Sequence, residues 1–246
     1  MIEMHAHILP GFDHGPNTMN ESLEMARQAA AAGVSIIYAT PRYRYPSYDF
    51  DAVFVTEAVK FLNFQLLKAR IPVRVRSGQE ITLYDGMETD LERKRILPLE
   101  HTNYVLVNMN GTHSFLYVRQ MLKKLYNHGF IPILSSPERL RMFQKRHGGL
   151  EKLVNEGAAV QISAGALLGR DGRSDRRWAK YFIKKRLVHF VASNACSAYD
   201  QPFCLDQAYW QFVRMQRLGE WERMQKNTHL LLNGGRITPP AKQSLI

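Results

Sequence analysis

The sequence predicts an α/β protein folded as a single, distorted (β/α)7 TIM-like barrel. Short apolar runs bounded by turn residues alternate with segments of helical period, and this alternation occurs seven times. Such a pattern is typical of buried parallel strands joined by helices. The chain has 246 residues and shows no internal repeat, low-complexity block or interdomain linker. That length fits one barrel domain, so we expect a single domain.

Seven apolar runs are predicted as strands. The first lies at the start of the chain and carries His5 and His7. The others are Val34 to Ala39, Val73 to Arg76, Tyr104 to Val107, Ile131 to Leu134, Ala159 to Ile162, and Val188 to Ala192.

Helices are predicted between these strands. Thr18 and Glu21 have the spacing of a capping box at the start of the first helix, which Gly33 ends. A second helix is expected over about residues 52 to 68, with Val55, Ala58, Phe61 and Leu62 facing inward. Further helices are expected near 87–92, 115–128, 150–156 and 174–186, and a last one from Leu205 through Met215.

The composition favours anionic partners. Lys and Arg number 33 against 22 Asp and Glu, which gives a formal net charge of +11. Such a balance attracts phosphate groups, acidic peptides, anionic lipid or nucleic acid. The sequence contains no apolar run of the roughly 18 residues that a membrane span needs, and no signal-peptide pattern. The only cysteines are Cys196 and Cys204, which predicts a reducing, cytoplasmic setting rather than a disulfide framework.

Residues able to do chemistry cluster where the predicted strands end. In barrels of this type the active site lies at the carboxyl ends of the strands. His5 and His7 share one face of the first strand and would form half of a metal site. The other strand ends carry Arg42, Glu80, Asn108, Ser136 with Arg139, and Asn194 with Cys196.

Short motifs spread over about residues 1 to 235 carry a family resemblance. They are His5-Ala-His-Ile-Leu-Pro-Gly11, Glu21-Ser-Leu-Glu-Met-Ala-Arg27, Ala39-Thr-Pro41, Gly78-Gln-Glu80, Ile131-Pro-Ile133, Pro137-Glu-Arg139, Ala164-Gly165 with Leu167-Leu-Gly-Arg170, and Leu230-Leu-Leu-Asn-Gly234. Together they resemble the PHP (polymerase and histidinol phosphatase) superfamily. More closely, they resemble the CpsB/CapC-type protein-tyrosine phosphatases of capsule and exopolysaccharide loci. The resemblance implies a PHP-type barrel over 1–235, followed by a disordered tail over 236–246.

The resemblance also implies a chemistry, from which this chain departs. The family uses a cluster of divalent metals, usually Mn²⁺, to activate water for attack on phosphotyrosine in the tail of a membrane-associated kinase. Of the ligand positions, His5, His7 and Glu80 keep the family residue. Six positions are substituted, by His14, Arg42, Asn108, Ser136, Asn194 and Cys196. Arginine cannot lose its proton to become a ligand, and the two asparagines lack the charge that offsets several dications.

These substitutions leave several interpretations open. The chain can be a weak or inactive phosphatase, or a pseudophosphatase that binds phosphotyrosine or an acidic peptide without hydrolysis. His5, His7 and Glu80, with His14 and Cys196, could form a remodelled site better suited to one Zn²⁺. With no metal at all, Glu80 could pair with Arg42.

Arginines at the strand ends favour the binding interpretation. Arg139 matches the family position that holds substrate phosphate, and Arg42, with Arg44, could add guanidinium groups beside it. Guanidinium groups bind phosphate in a bidentate manner without metal.

The helix predicted near 174–186 is very basic. Arg173, Arg176, Arg177, Lys180, Lys184, Lys185 and Arg186 surround Trp178 and Phe182. The simplest interpretation places the aromatic rings toward the core and the charges in solvent. A functional alternative is docking to an anionic membrane surface or to an acidic kinase tail. Nucleic-acid binding is disfavoured because no nucleic-acid-binding motif accompanies the charge.

Overall fold

The computed structural model describes residues 1–44, 48–145 and 148–237. Within these residues, nine parallel strands lie in two sheets. The strands are β1 (Ile2–Ala6), β2 (Ile36–Ala39), β3 (Arg42–Tyr43), β4 (Arg74–Ser77), β5 (Glu80–Thr82), β6 (Tyr104–Asn108), β7 (Ile131–Ser135), β8 (Ala159–Ser163) and β9 (Phe190–Ala192). The smaller sheet has the order β1-β2-β4, and the larger has the order β3-β5-β6-β7-β8-β9.

Helices connect the strands and close the chain. They are α1 (Met19–Ala31), α2 (Ala52–Lys68), α3 (Met87–Glu92), α4 (Phe115–Asn127), α5 (Arg141–Lys145), α6 (Gly149–Asn155), α7 (Ala164–Leu168), α8 (Arg173–Lys184), α9 (Leu205–Arg214) and α10 (Leu218–Leu232). A 3-10 turn covers Pro137–Arg139. None of the described helices is both long and apolar enough to cross a membrane.

Local chemistry explains where α1 begins. The Glu21 N–H donates to the Thr18 hydroxyl at 3.3 Å, and the Glu21 carboxylate accepts from the Thr18 N–H at 3.4 Å. The two bonds thus satisfy backbone N–H groups that have no partner within the helix. The predicted capping box is therefore confirmed.

The two sheets share strand directions and meet at β1. β3 follows directly after β2, and β5 directly after β4. At the other side of β1, a parallel bridge joins Ala6 to Ala195, and the His7 N–H donates to the Ala195 carbonyl at 2.7 Å. The predicted α/β class with parallel sheets is confirmed, while the (β/α)7 barrel stays a prediction.

Strand residues alone supply most of a small apolar cluster. Met4, Tyr38, Leu106, Ile133 and Phe190 pack together there, from strands of both sheets. A larger cluster lies between the strands and the helices. The strands are thus apolar on both faces, as the continuous apolar runs of the sequence indicated.

Four sequence-based expectations for single elements need revision or comment. Phe61 was expected to face the core and is instead 54% exposed on α2. No helix was predicted where α7 lies, and a separate helix α10 follows the one expected last. Of the tail, Ile237 donates its N–H to the Tyr104 hydroxyl at 3.0 Å, and residues 238–246 lie outside the described part of the chain.

The basic helix α8 presents its charges outward. Phe182 is buried, and Trp178 is partly buried with its ring 5.7 Å from that of Phe182. Arg173, Arg176, Arg177, Lys184 and Lys185 are exposed. The aromatic side therefore faces the core, as the helical spacing predicted.

Candidate active site at the strand ends

His5 and His7 meet at the end of β1. Their Nε2 atoms lie 3.3 Å apart, and both rings are fully buried. Alternation along the strand puts both side chains on one side, as predicted from the sequence.

The two imidazoles form a continuous hydrogen-bonded chain. Gln161 Nε2 lies 2.9 Å from His5 Nδ1, and His7 Nδ1 lies 2.6 Å from Asp13 Oδ2. The ionised Asp13 carboxylate accepts the His7 Nδ1–H, and His7 Nε2 lies 3.0 Å from Asn194 Oδ1 as well as near His5 Nε2. Each ring nitrogen thus has a partner from protein alone.

Glu80 lies beside this chain and is bound by Arg42. Strand register builds the pair, because Arg42 and Glu80 are opposite residues of β3 and β5. Arg42 Nε donates to Glu80 Oε2 at 3.0 Å, and the Ser135 hydroxyl donates to Glu80 Oε1 at 2.9 Å. Arg42 and Glu80 therefore form an ion pair in the structure.

Burial and charge set the protonation of this cluster. Burial alone would raise the pKa of Glu80, but contacts with His5 and Arg42 hold that pKa well below its ordinary value. Burial lowers the pKa of His5, with the neighbouring carboxylate opposing the effect. The interaction with His7 outweighs burial at Asp13 and lowers its pKa to about 2. At neutral pH the carboxylates are therefore ionised, and His5 is neutral.

Two groups of side chains bring possible metal-binding atoms together. In His5, His7 and Glu80, and in His7, Asp13 and His14, these atoms lie within 4.8 Å of one another. By distance alone, each group has the ligand atoms for one ion. Arg42 already occupies one oxygen of Glu80 and keeps a fixed positive charge there. A cluster of several dications does not fit this arrangement of the described residues.

Cys196 stands apart from both groups. Its Sγ lies 3.5 Å from Gln201 Oε1, and burial raises the pKa of its thiol. Cys196 and His14 line a hollow of about 640 Å³ beside α1. Within the described residues, the structure does not bring Cys196 to His5, His7 and Glu80 as the remodelled zinc site required.

The other four positions at which the chain departs from the pattern that the sequence resemblance implies line one cavity of about 230 Å³. Its lining comprises Arg42, Glu80, Asn108, Met109, Asn110, Gly111, Ser135, Ser136, Arg139, Leu140 and Asn194. Four of these residues, namely Arg42, Asn108, Ser136 and Asn194, occupy positions where the sequence resemblance places metal ligands. At these positions the cavity is lined by arginine, amide and hydroxyl groups.

Arg139 lines the cavity and forms an ion pair with Asp171. Its Nη2 lies 2.6 Å from Asp171 Oδ2, which also accepts from the Ser163 hydroxyl at 3.0 Å. The side chain remains 34% exposed. Arg44 takes another direction: its guanidinium lies 4.2 Å from the centre of the Tyr84 ring, and Arg44 does not line the cavity.

Backbone strain marks two cavity positions. Ser136 has φ of 47° and Asn194 has φ of 52°, both left-handed. Asparagine tolerates this conformation, serine rarely does, and such strain concentrates at functional sites. The Ser136 hydroxyl is buried with no hydrogen-bond partner among the described residues. A hydroxyl in that state can donate to a ligand in the cavity.

Several partners in this network were not singled out from the sequence. Asp13 orients His7, Gln161 orients His5, and Asp171 orients Arg139. Asp13 is the aspartate retained before His14, and this retention was a usable signal. Gln161 lies inside a strand and Asp171 follows a motif, so only the folded structure brings them to the site.

Comparisons with known proteins agree on one family. A family profile described as capsular polysaccharide synthesis, CpsB/CapC, matches residues 1–223. Tyrosine-protein phosphatase YwqE of Bacillus subtilis is 36% identical over 210 residues, covering 85% of this chain and 83% of that protein. Putative tyrosine-protein phosphatase CapC of Staphylococcus aureus is 31% identical over 238 residues, covering 97% and 93%.

A solved structure extends the likeness to three dimensions. It comes from work on YwqE from Bacillus subtilis and CpsB from Streptococcus pneumoniae, described as unique metal-dependent tyrosine phosphatases. It matches with a TM-score of 0.92 and 33% identity, over 99% of this chain and all of that one. The scaffold around the cavity is therefore shared.

Proposed function

We propose that this chain, which belongs to the CpsB/CapC family of capsular polysaccharide synthesis, recognises phosphotyrosine in an arginine-lined cavity and hydrolyses it weakly or not at all. The observation that carries this proposal is the cavity itself. Arg42 and Arg139 line it together with the amide and hydroxyl groups of three substituted ligand positions. Fixed positive charge and hydrogen-bond donors thus take the place of metal charge.

The lining suits a phosphoryl group. Guanidinium groups bind phosphate oxygens through charge-assisted hydrogen bonds, and asparagine and serine can donate to the remaining oxygens. A volume of about 230 Å³ lies below the ~300–1,000 Å³ of pockets for drug-sized ligands. This size favours a single phosphoryl group with its attached ring.

Weak hydrolysis follows from the state of Glu80 and the two histidines. Metal-assisted hydrolysis needs ligands that hold the ion and a water that the ion activates. Here Arg42 binds the Glu80 carboxylate and places a fixed positive charge beside His5 and His7, which opposes a dication there. Among the described residues, the arginine, amide and hydroxyl side chains of the cavity can hold and orient a phosphate ester but do not activate water.

The partner follows from the family. We propose that the ligand is the phosphorylated, tyrosine-rich tail of a membrane-associated tyrosine kinase, met in the cytoplasm during control of capsule or exopolysaccharide synthesis. The exposed basic side of α8 could then bind an anionic membrane surface.

The bridge between Ala6 and Ala195 and the cluster of strand side chains also support a distorted seven-stranded barrel.

Binding of a phosphotyrosine peptide tests the proposal. We expect Arg42→Ala and Arg139→Ala each to weaken binding about tenfold or more, since a hydrogen bond to a charged group is worth ~1.5–3 kcal/mol. Isothermal titration calorimetry with phosphorylated and unphosphorylated peptides gives the affinities. Arg139→Lys should lose part of the affinity, because lysine keeps the charge without the fork.

A matched control excludes a general effect of charge. Arg119 is an exposed arginine that pairs with Glu156 away from the cavity. Arg119→Ala should leave the affinity unchanged. Unchanged affinity in Arg42→Ala and Arg139→Ala, with folded protein by circular dichroism, would refute the proposal.

A second candidate function is a phosphatase that retains one metal ion. The grouping of His5, His7 and Glu80 within 4.8 Å favours it. Mn²⁺ is the ion that the family implies, and two imidazoles with one carboxylate also suit Zn²⁺. Plasma mass spectrometry after dialysis against each metal decides: one bound ion per chain together with phosphatase activity supports this candidate, and no bound metal excludes it.

A further inference from the structure

The helix α2 is apolar on the side that faces away from the core. Its buried face comprises Ala52, Val55, Val59, Leu62 and Leu66. The opposite face carries the Glu57–Lys60 ion pair and, around it, Val53, Phe54, Phe61, Phe64 and Leu67, which are 50% to 77% exposed. We call these last five residues the outer α2 stripe.

The outer α2 stripe is unusual for a surface helix. Surface helices normally oppose an apolar face with a polar one, and a helix that is apolar all round is normally buried. Counting ~150–250 Å² for each aromatic side chain, the exposed parts add up to roughly 500 Å². Patches of this size on single chains are often interaction sites.

The charges at the two ends of α2 indicate what covers the stripe. Asp49 and Asp51 are exposed at its amino end, and Lys68 and Arg70 are exposed at its carboxyl end. Two copies of α2 packed antiparallel would place each acidic end against a basic end. Antiparallel packing also sets the helix dipoles in opposite directions, which is favourable.

The spacing of the stripe suits the same symmetry. Phe61 lies near its midpoint, with Val53 and Phe54 toward one end and Leu67 toward the other. In a twofold interface the same patch serves both copies, so the two Phe61 rings would meet near the axis. We propose that the outer α2 stripe is the interface of an antiparallel, twofold-symmetric homodimer of this chain.

Sedimentation of the full chain over a dilution series tests the interface. The native protein should be dimeric, and Phe61→Glu should weaken dimerisation about tenfold or more, as loss of a central aromatic anchor does. Leu116→Glu on α4, where Leu116 is 61% exposed, is the matched control and should remain dimeric. A native chain that is monomeric throughout, or an unaffected Phe61→Glu dimer, overturns the proposal.

Charge exchange tests the antiparallel arrangement. Asp49→Lys with Asp51→Lys makes both ends of α2 basic, and Lys68→Glu with Arg70→Glu makes both ends acidic. Each double variant alone should dimerise more weakly than the native chain, and an equimolar mixture should form a heterodimer. Failure of the mixture to associate more tightly than either variant alone contradicts antiparallel self-pairing.

Discussion

Arg42 is the residue on which the character of the site depends. Its guanidinium lies 3.0 Å from the one carboxylate that joins His5 and His7 in a possible metal group. A carboxylate held by a metal and one held by arginine are both neutralised, but only the metal can activate water. Under the proposed function, Arg42 thus keeps the local charge balance without supplying a group that activates water.

Replacing Arg42 by histidine should raise the affinity of the site for zinc. In Arg42→His, Glu80 loses its fixed counter-charge and regains a neighbour that can itself bind metal. We expect zinc affinity to rise about 10–100-fold, the range that residues around a metal site typically control. Competition against a chelating dye measures it.

Arg42→Lys is the control for this exchange. It keeps a positive charge beside Glu80 and should leave zinc affinity near that of the native chain. Equal affinities in the histidine and lysine variants would show that Arg42 does not control access to Glu80.

Glu138 gives the stability a defined pH dependence. It is fully buried, accepts from the Ser163 N–H at 2.9 Å, and burial raises its pKa from 4.5 to about 7. A carboxyl group with a raised pKa in the folded state stabilises below its unfolded pKa, and this contribution is lost as pH rises through about 7. We therefore expect the free energy of unfolding, relative to Glu138→Gln, to fall between pH 5 and pH 8.

The size of the fall is bounded by the two pKa values. At ~1.4 kcal/mol for each pH unit between them, it is at most about 3 kcal/mol. Urea denaturation at both pH values measures it. Glu3, whose pKa burial also raises to about 7, is present in both proteins and cancels in the difference. A difference that stays constant with pH would contradict a buried, protonated Glu138.

At the scale of elements, the sequence predicted where helices begin and end but not which face of α2 is buried. The capping box of Thr18 and Glu21 involves residues three apart, so the sequence displays both partners. The bounds of α2 match the expected range, yet Phe61 was placed on the wrong side. Because large apolar residues occur on both the inner and the outer face of α2, periodicity could not show which face is buried. The short strands β3 and β5 were not expected, because strand pairing distant in sequence defines them.

The loop after β1 positions Asp13 against His7. The Gly15 N–H donates to Asp13 Oδ1 at 3.0 Å, and a Cβ at Gly15 would overlap the carbonyl oxygen of His7. Gly15→Ala must therefore displace the segment that presents Asp13 to His7. We expect a loss of ~1–3 kcal/mol, the usual cost of overpacking, measured by urea denaturation.

Gly219 in α10 offers a matched control for this exchange. A Cβ there meets no atom within 4 Å. Gly219→Ala should preserve or raise the stability, because alanine favours a helix by roughly 0.5–1 kcal/mol over glycine. Equal stabilities of the two variants would argue against the close packing of Gly15 on His7.

At the scale of the whole molecule, this chain shares its fold with a family member while its strand-end residues depart from the pattern that the sequence resemblance implies. The backbone matches a metal-dependent tyrosine phosphatase structure with a TM-score of 0.92, although identity is 33%. Apolar patterning is spread over the whole core, so many substitutions leave the fold intact. The site depends on a few side chains at strand ends, and their exchange costs the fold little.

The strand order made part of the site predictable from the sequence, and the loops determine the rest. The strand-end residues were identifiable because parallel strands deliver them to one place. The bond between Arg42 and Glu80 was a stated alternative, since opposite charges at neighbouring strand ends attract. The sorting of His14 and Cys196 into a second hollow was not predictable, because it depends on the paths of the loops after β1 and β9.

We propose that the cavity binds phosphotyrosine through its own side chains, without a metal ion. The most direct measurement is calorimetric titration of a phosphotyrosine peptide into the protein held in excess chelator. We predict saturable binding of the phosphorylated peptide and none of its unphosphorylated form. Binding that occurs only after Mn²⁺ or Zn²⁺ is supplied would contradict the claim, because a metal rather than Arg42 and Arg139 would then hold the phosphate.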